Sequence, residues 1–308
     1  MKYRKLGDTG LFVSSIGLGC VTFGREIERK TAFAVLDRAF ERGITLYDTA
    51  AMYGDGESEI ILGDWLARNG LAHHEPADAG KAGEIVVATK AYPPLTRKNL
   101  REAVETSLRS LKVPFIDLYQ LHAWDNETPL HETLEALEEL RREEKIKFLG
   151  CSNFTPLQLC RSLWWQETHN AARFSTIQPM YNLVNREIEG ELIPFCREEH
   201  IGIITYSPLG AGFLTGKYTP DGPFPKGTRF DIKPSHTQHY YSDHGWKTVE
   251  HLRKSSEQLG VSMVKLALSW VMKQPGTTSM LIGARKIEQV EQAFDSEALE
   301  VDFTPLLS

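Results

Sequence analysis

The run Ile85-Val86-Val87-Ala88-Thr89-Lys90, continued through Arg97–Leu111 into Phe115-Ile116-Asp117-Leu118-Tyr119-Gln120-Leu121-His122, decides how this chain folds. Its first and last segments are short, apolar and unbroken, as expected of strands covered on both faces. Between them Leu100, Val104, Ser107, Leu108 and Leu111 recur at helical spacing, and Thr96 stands where an N-cap belongs. Strand, amphipathic helix and strand in so short a span predict a parallel crossover unit.

The same rhythm runs outward in both directions. Candidate strands fall at residues 13–19, 44–47, 85–89, 115–121, 147–151, 176–179, 201–206 and 280–282. Helical patterns fall at 31–42, 97–111, 130–142, 156–165, 187–199, 247–259 and 261–272. In the first of these Ala32, Val35, Leu36, Ala39 and Phe40 form one stripe, which Gly43 closes. Eight strands alternating with helices predict an α/β fold, a (β/α)8 barrel with a short N-terminal β-hairpin, spanning residues 1–308 as one domain. An open doubly wound sheet would carry GxGxxG after its first strand, but here Gly17-Leu18-Gly19-Cys20 runs on into Val21, Thr22 and Phe23.

Two stretches interrupt the pattern. Residues 72–83, with His73, His74 and Glu75, read as a surface insertion. Residues 216–245 are rich in Pro, Gly and polar side chains and carry Phe224, Phe230, Tyr240 and Tyr241; so long a loop reads as a lid, a binding loop or a disordered segment. Trp164-Trp165 reads as core packing. Metal binding is not expected, because the loop histidines His236, His239 and His244 have no ligand spacing.

With 35 Lys and Arg against 41 Asp and Glu, the formal net charge is −6, which argues against a nucleic-acid partner. No polybasic run suits an anionic membrane, and no apolar stretch is long enough to span one. Cys20, Cys151, Cys160 and Cys196 form no CxxC pair and read as reduced thiols. Without an apolar signal near Met1, the expected location is the cytoplasm.

In such barrels chemistry sits at the C-terminal ends of the strands. There the second strand carries Asp48, with Tyr53 shortly after; the third ends in Lys90; the fourth leads into His122. A lysine starting at the barrel mouth needs a counter-charge, and Asp48 is the candidate.

On these motifs the chain resembles the aldo-keto reductases. The resemblance covers Leu46-Tyr47-Asp48-Thr49-Ala50 with Tyr53-Gly54, Gly56-Glu57-Ser58-Glu59, Thr89-Lys90 and Asp117 through His122. It continues through Gly150-Cys151-Ser152-Asn153-Phe154, Gln178-Pro179, Tyr206-Ser207-Pro208-Leu209 and Ile282-Gly283-Ala284-Arg285, in the family's order. It implies carbonyl reduction with NADPH, no metal, and a catalytic tetrad of Asp48, Tyr53, Lys90 and His122. It implies cofactor contacts at Gly19, Thr22, Ser152, Asn153, Gln178, Tyr206, Ser207, Leu209, Gly212, Ser279, Gly283, Arg285 and Gln289, and a substrate pocket at Phe23 and Trp124. The chain departs from the family at Gln292 and Ala293, where Glu-Asn is frequent.

The chemistry of the residues agrees. A lysine ammonium about 4 Å from a tyrosine, at an effective dielectric near 20, favours the phenolate by roughly 4 kcal/mol, which predicts a Tyr53 pKa drawn toward neutrality. Asp48 would keep Lys90 charged, and His122 would hold the substrate carbonyl. Amides at Ser152, Asn153 and Gln178 suit a nicotinamide carboxamide, with Tyr206 stacked on the ring. Arg285 and Lys286 are unfavourable at a helix N-terminus unless a phosphate lies between them, and the adenosine 2′-phosphate of NADP is the candidate. Two other readings stand: a Schiff-base lyase using Lys90, which a charged lysine beside Asp48 opposes, and an NADPH sensor resembling potassium-channel β subunits, against which the chain has no long extension before Lys5.

Overall fold

The computed structural model describes residues 1–72 and 84–304. Strands β1 (Tyr3–Lys5) and β2 (Phe12–Ser14) pair antiparallel as a hairpin. Eight parallel strands follow: β3 (Ile16–Gly19), β4 (Leu46–Asp48), β5 (Val86–Ala91), β6 (Ile116–Leu121), β7 (Ile146–Ser152), β8 (Phe174–Gln178), β9 (Gly202–Thr205) and β10 (Thr277–Gly283). Each pairs with the next, and β10 returns to β3, so the sheet closes into a barrel. The intervening helices are α1 (Arg29–Glu41), α2 (Glu57–Arg68), α3 (Arg97–Leu111), α4 (Leu130–Arg142), α5 (Pro156–Thr168) and α6 (Leu192–Glu198). Between β9 and β10 lie α7 (Arg229–Ile232), α8 (Asp243–Leu259) and α9 (Met263–Lys273), and α10 (Ile287–Glu297) follows the last strand. No helix among the described residues is long and apolar enough to cross a membrane.

Strand alternation divides the molecule into two apolar clusters. Tyr47, Val87 and Tyr119 point outward and pack under the helices with Val35, Leu62, Leu100 and Leu137. Leu46, Val86, Ala88, Leu118, Ile204 and Leu281 point into the lumen, where Leu6, Leu11 and Val13 of the hairpin plug the bottom. The same period of two carries the lumen face upward from Leu46 to Asp48, from Ala88 to Lys90 and from Leu118 to Gln120. A polar layer therefore sits directly on an apolar floor.

The expected elements are present, with four differences. Residues 13–19 are two strands, because the Ser14 hydroxyl donates to Ile16 O (2.6 Å) and accepts from Thr45 N (2.9 Å), which turns the chain out of the hairpin and into the barrel. Residues 187–199 break into a short 3-10 turn, Glu187–Glu189, and α6. Helix α2 escapes the sequence pattern because its inner face buries Ser58 and Glu59 beside Ile61, Leu62 and Trp65. Trp164 is exposed and not in the core, while Trp165 stacks on His169 at 4.2 Å. The insertion read at 72–83 lies outside the described residues except for Ala72, as do His73, His74 and Glu75.

Residues 216–245 form a folded segment with its own aromatic core. Phe230 is fully buried and meets Tyr218 at 4.5 Å, Tyr241 at 5.6 Å and Phe224 at 5.9 Å between ring centroids. Tyr240 is buried against Phe213 (5.8 Å). These rings pack on one another and do not wall an open pocket. Replacing Phe230 by Ala should cost about 3–5 kcal/mol and lower the calorimetric melting temperature by several degrees. An unchanged melting temperature would show that this segment contributes nothing to the cooperative unit.

Candidate active site

Asp48, Lys90 and Gln120 project into the lumen from β4, β5 and β6, with Asp48 in register with Ala88 and Lys90 with Gln120, and Gln178 joins them from β8. Lys90 Nζ donates to Asp48 Oδ2 (2.5 Å) and to Thr49 O (2.8 Å), and both side chains of the pair are buried. Asp48 Oδ1 accepts from Gln178 Nε2 (2.8 Å) and Gln120 Nε2 (3.1 Å). Burial alone would depress the Lys90 pKa, but Asp48 and then Tyr53 outweigh it and hold the ammonium above its ordinary value. A permanently charged lysine is the result.

Tyr53 is placed by an unusual turn. Gly54, Asp55 and Gly56 all have φ between 55° and 94°, so the chain doubles back after the tyrosine. A Cβ on Gly54 would stand 3.0 Å from Phe23 O, so only glycine admits this approach. Lys90 Nζ lies 5.1 Å from the Tyr53 ring centroid and within hydrogen-bonding reach of its hydroxyl. The expected shift toward neutrality does not occur in the chain itself. Burial outweighs the ammonium, and the phenol sits above its ordinary pKa, fully protonated near pH 7.

His122 meets Tyr53 edge to face at 5.7 Å, and Tyr92 meets it the same way from the other side at 5.7 Å. Burial, then Lys90, pushes its pKa down to about 3, so the ring is neutral. Its Nδ1 is buried without a hydrogen-bond partner among the described residues. Trp124, two residues on, packs edge to face on Phe154 (5.2 Å) at the rim.

The expected nucleotide contacts divide into three groups. Asn153, Ser207 and Ala211 have φ of 59°, 56° and 57°, strained values for non-glycine residues, and all three lie on this rim. Asn153 is committed inside the protein: Nδ2 donates to His122 O (3.0 Å), and Oδ1 accepts from Tyr206 (2.7 Å). Ser152 Oγ donates to Gln178 O (2.7 Å). Among the described residues nothing donates to Gln178 Oε1. Thr22 donates to Ala284 O (3.2 Å), beside the paired strand ends Gly19 and Gly283. Arg285 and Lys286 precede α10, whose N-terminus has no side-chain cap; Gln289 accepts from Arg285 N (2.7 Å), and Arg285 donates to Gly227 O (2.8 Å).

Two expected contacts are elsewhere. Ser279 sits low on β10, fully buried and donating to Ser14 O (2.8 Å), far below the rim. Phe23 is fully buried and cannot wall an open pocket. Ala293 likewise faces the core. Among the described residues no three His, Cys, Asp or Glu side chains converge as a metal-ligand set.

Sequence reading missed a cluster of cations. Lys217 turns its ammonium back to 2.6 Å from where a Cβ on Gly212 would stand, so the glycine is what admits it. Loss of solvation and the nearby Arg285 hold Lys217 below the ordinary lysine value. Arg229, itself within the field of Arg285, crosses the groove to Glu26 (2.7 Å), which also binds Arg25 (2.8 Å). Among the described residues Lys217 and Arg285 have no carboxylate partner. Loops distant in sequence build this cluster, so no local motif betrays it.

The sequence model of the Aldo/keto reductase family matches residues 15–304. The chain is 34% identical to the aldo-keto reductase YhdN of Bacillus subtilis, over 94% of this chain and 87% of that protein. It is 33% identical to protein tas of Escherichia coli, over 98% of this chain and 94% of that one. It is also 28% identical to an Arabidopsis thaliana protein named as a probable voltage-gated potassium channel subunit beta, over 100% of this chain and 93% of that one. The chain belongs to the aldo-keto reductase family of oxidoreductases.

The buried ion pair makes its own prediction. Lys90→Met leaves Asp48 buried with two amide donors and no counter-charge, and should lose about 3–5 kcal/mol in urea unfolding. Adding Asp48→Asn should restore most of it; a strictly additive double variant would mean that the two groups do not interact.

Proposed function

We propose that this protein reduces aldehyde or ketone carbonyls to alcohols with NADPH, using Asp48, Tyr53, Lys90 and His122. The observation that carries this reading is the buried Lys90–Asp48 pair set against the Tyr53 phenol. Bound NADPH supplies a hydride to the carbonyl carbon. Tyr53, protonated at working pH, gives its phenolic proton to the carbonyl oxygen. Lys90 stabilises the phenolate left behind, and Asp48 keeps Lys90 charged and aimed. Neutral His122 offers a ring N–H to the same oxygen and fixes the carbonyl's direction.

The nucleotide fits the residues present. Gln178 Oε1 and the Tyr206 ring would take the nicotinamide end, and Ser152 and Asn153 brace them. Ser207, Leu209 and Gly212, with Lys217 over the glycine, suit the pyrophosphate, and Gly19, Thr22 and Gly283 border the groove. Arg285 before the uncapped α10, with Gln289 bracing its backbone, suits a 2′-phosphate. Tyr92, against His122, and Trp124, against Phe154, would wall the substrate. A Schiff-base role is disfavoured by the raised Lys90 pKa. The potassium-channel relative supports a second reading, a nucleotide-occupied sensor, which tight NADPH binding without turnover on any carbonyl would favour.

Tyr53→Phe should lower kcat by at least about 100-fold with NADPH affinity unchanged. The wild-type reduction rate should stay flat from about pH 5 to 9, since His122 is neutral above about 3 and Tyr53 keeps its proton beyond the ordinary tyrosine range. Equal turnover in the variant would end the assignment of Tyr53 as proton donor.

Arg285→Ala should weaken NADPH binding by about 10- to 100-fold, from roughly 1.5–3 kcal/mol of charge-assisted bonding, and leave NADH nearly untouched. Fluorescence titration with both nucleotides reads this directly. Equal losses for the two would remove the phosphate from Arg285.

A further inference from the structure

We propose that Gln120 is a positioning residue, which holds the amide of Gln178 so that the site reads the nicotinamide carboxamide as a hydrogen-bond donor. This inference rests on the nucleotide reading given above. Gln120 is fully buried, and its side-chain hydrogen bonds go to Asp48 and Gln178 and not to Tyr53 or His122. It has a prepared seat: a Cβ on Gly150 of β7 would stand 3.1 Å from Gln120 Cγ and 2.3 Å from Thr176 Oγ1.

The orientation of both amides follows from Asp48. A carboxylate paired with an ammonium has no proton to give, so each group on Oδ1 must present an N–H. Gln178 Nε2 and Gln120 Nε2 do so, at 2.8 and 3.1 Å. The second N–H of Gln178 then goes to Gln120 Oε1 at 3.3 Å. Both amide protons of Gln178 are thereby anchored, and its Oε1 is left without a donor among the described residues. An acceptor fixed in that position selects for a donor, and the NH2 of a carboxamide provides one. Without Gln120 one buried N–H of Gln178 loses its partner, and the amide must turn to find another.

The test compares NADP+ with its 3-acetylpyridine analogue, in which a methyl group replaces that NH2. Binding to the full chain is followed by quenching of intrinsic fluorescence. Wild type should prefer NADP+ by roughly two- to tenfold, the worth of one neutral hydrogen bond. Gln120→Met should bring the ratio close to one, while a general loss of structure would weaken both nucleotides alike and preserve it.

Gln120→Glu keeps the acceptor and the shape, and serves if the Met variant does not fold. The ionisable groups facing that position are Asp48 from β4 and Lys90 from β5, with Tyr53 beyond Lys90. Beside Asp48 the new carboxyl stays protonated at low pH and donates as the glutamine does, so the preference should persist there and fall as pH rises. Wild type should show no such trend. A Met variant that keeps the full preference, or a wild type that binds both nucleotides equally, overturns the inference. A wild type that binds neither overturns the nucleotide reading itself, and the inference with it.

Discussion

A carboxylate buried in the lumen of a barrel is the constraint around which the upper half of this molecule is arranged. Removing such an ion from water costs several kcal/mol, and one partner does not offset that. Asp48 has three: an ammonium on one oxygen and two amides on the other. They come from different strands, so their meeting depends on barrel register, with Asp48 level with Ala88 and Lys90 level with Gln120. A slip of one residue in β5 would turn Lys90 out under the helices and Thr89 into the lumen. The apolar floor below and Gly150 beside the glutamine serve the same layer, one by excluding water and the other by leaving room.

The two sides of the sheet have separate tasks. Outside, Trp65, Leu100, Leu137 and Trp270 belong to the large cluster that holds helices to strands. Inside, the lower lumen is closed by the hairpin, and Arg4 ties it to Thr277 O (2.6 Å) and Met272 O (2.8 Å). The mouth has a field opposite to that of the whole chain. Four cations, Arg25, Lys217, Arg229 and Arg285, share one bonded carboxylate there, although the formal net charge is −6. Such a rim attracts anions more than the rest of the acidic surface does, an effect that weakens with salt.

Much of this was legible in the sequence, for identifiable reasons. Strands covered on both faces spell themselves as apolar runs, so Val86–Ala91 and Ile116–Leu121 were plain. Asp48, Lys90 and His122 stood out because each polar residue terminates such a run. Helix α2 is hidden by Ser58 and Glu59, polar residues on a buried face whose partners are Thr49, just past β4, and Thr89 of β5. Residues 216–245 looked like an open loop because pairings such as Phe213 with Tyr240 span too much chain to register as a pattern. Gln120 and Lys217 were passed over for a related reason: a glutamine in a strand and a lysine in a loop acquire meaning only from neighbours that folding supplies. The shift of Tyr53 runs opposite to the sequence expectation, since the sequence reveals the nearby charge but not how thoroughly the phenol is dried.

Closure of the barrel through Met280 and Ile16 also bears on how the protein is made. The two strands lie near opposite ends of the chain, so a ribosome must deliver almost the whole polypeptide before the seam can form. The entropy of joining such distant segments grows only slowly, by about 0.6 kcal/mol per doubling of the loop, so the delay burdens time more than stability. Until then β10 and β3 are unpaired edges, exposed to the wrong neighbours. The polar layer draws on β4, β5, β6 and β8, and with β7 between the last two these strands pair in order as they emerge. During synthesis the polar layer can therefore assemble before the barrel that holds it is sealed.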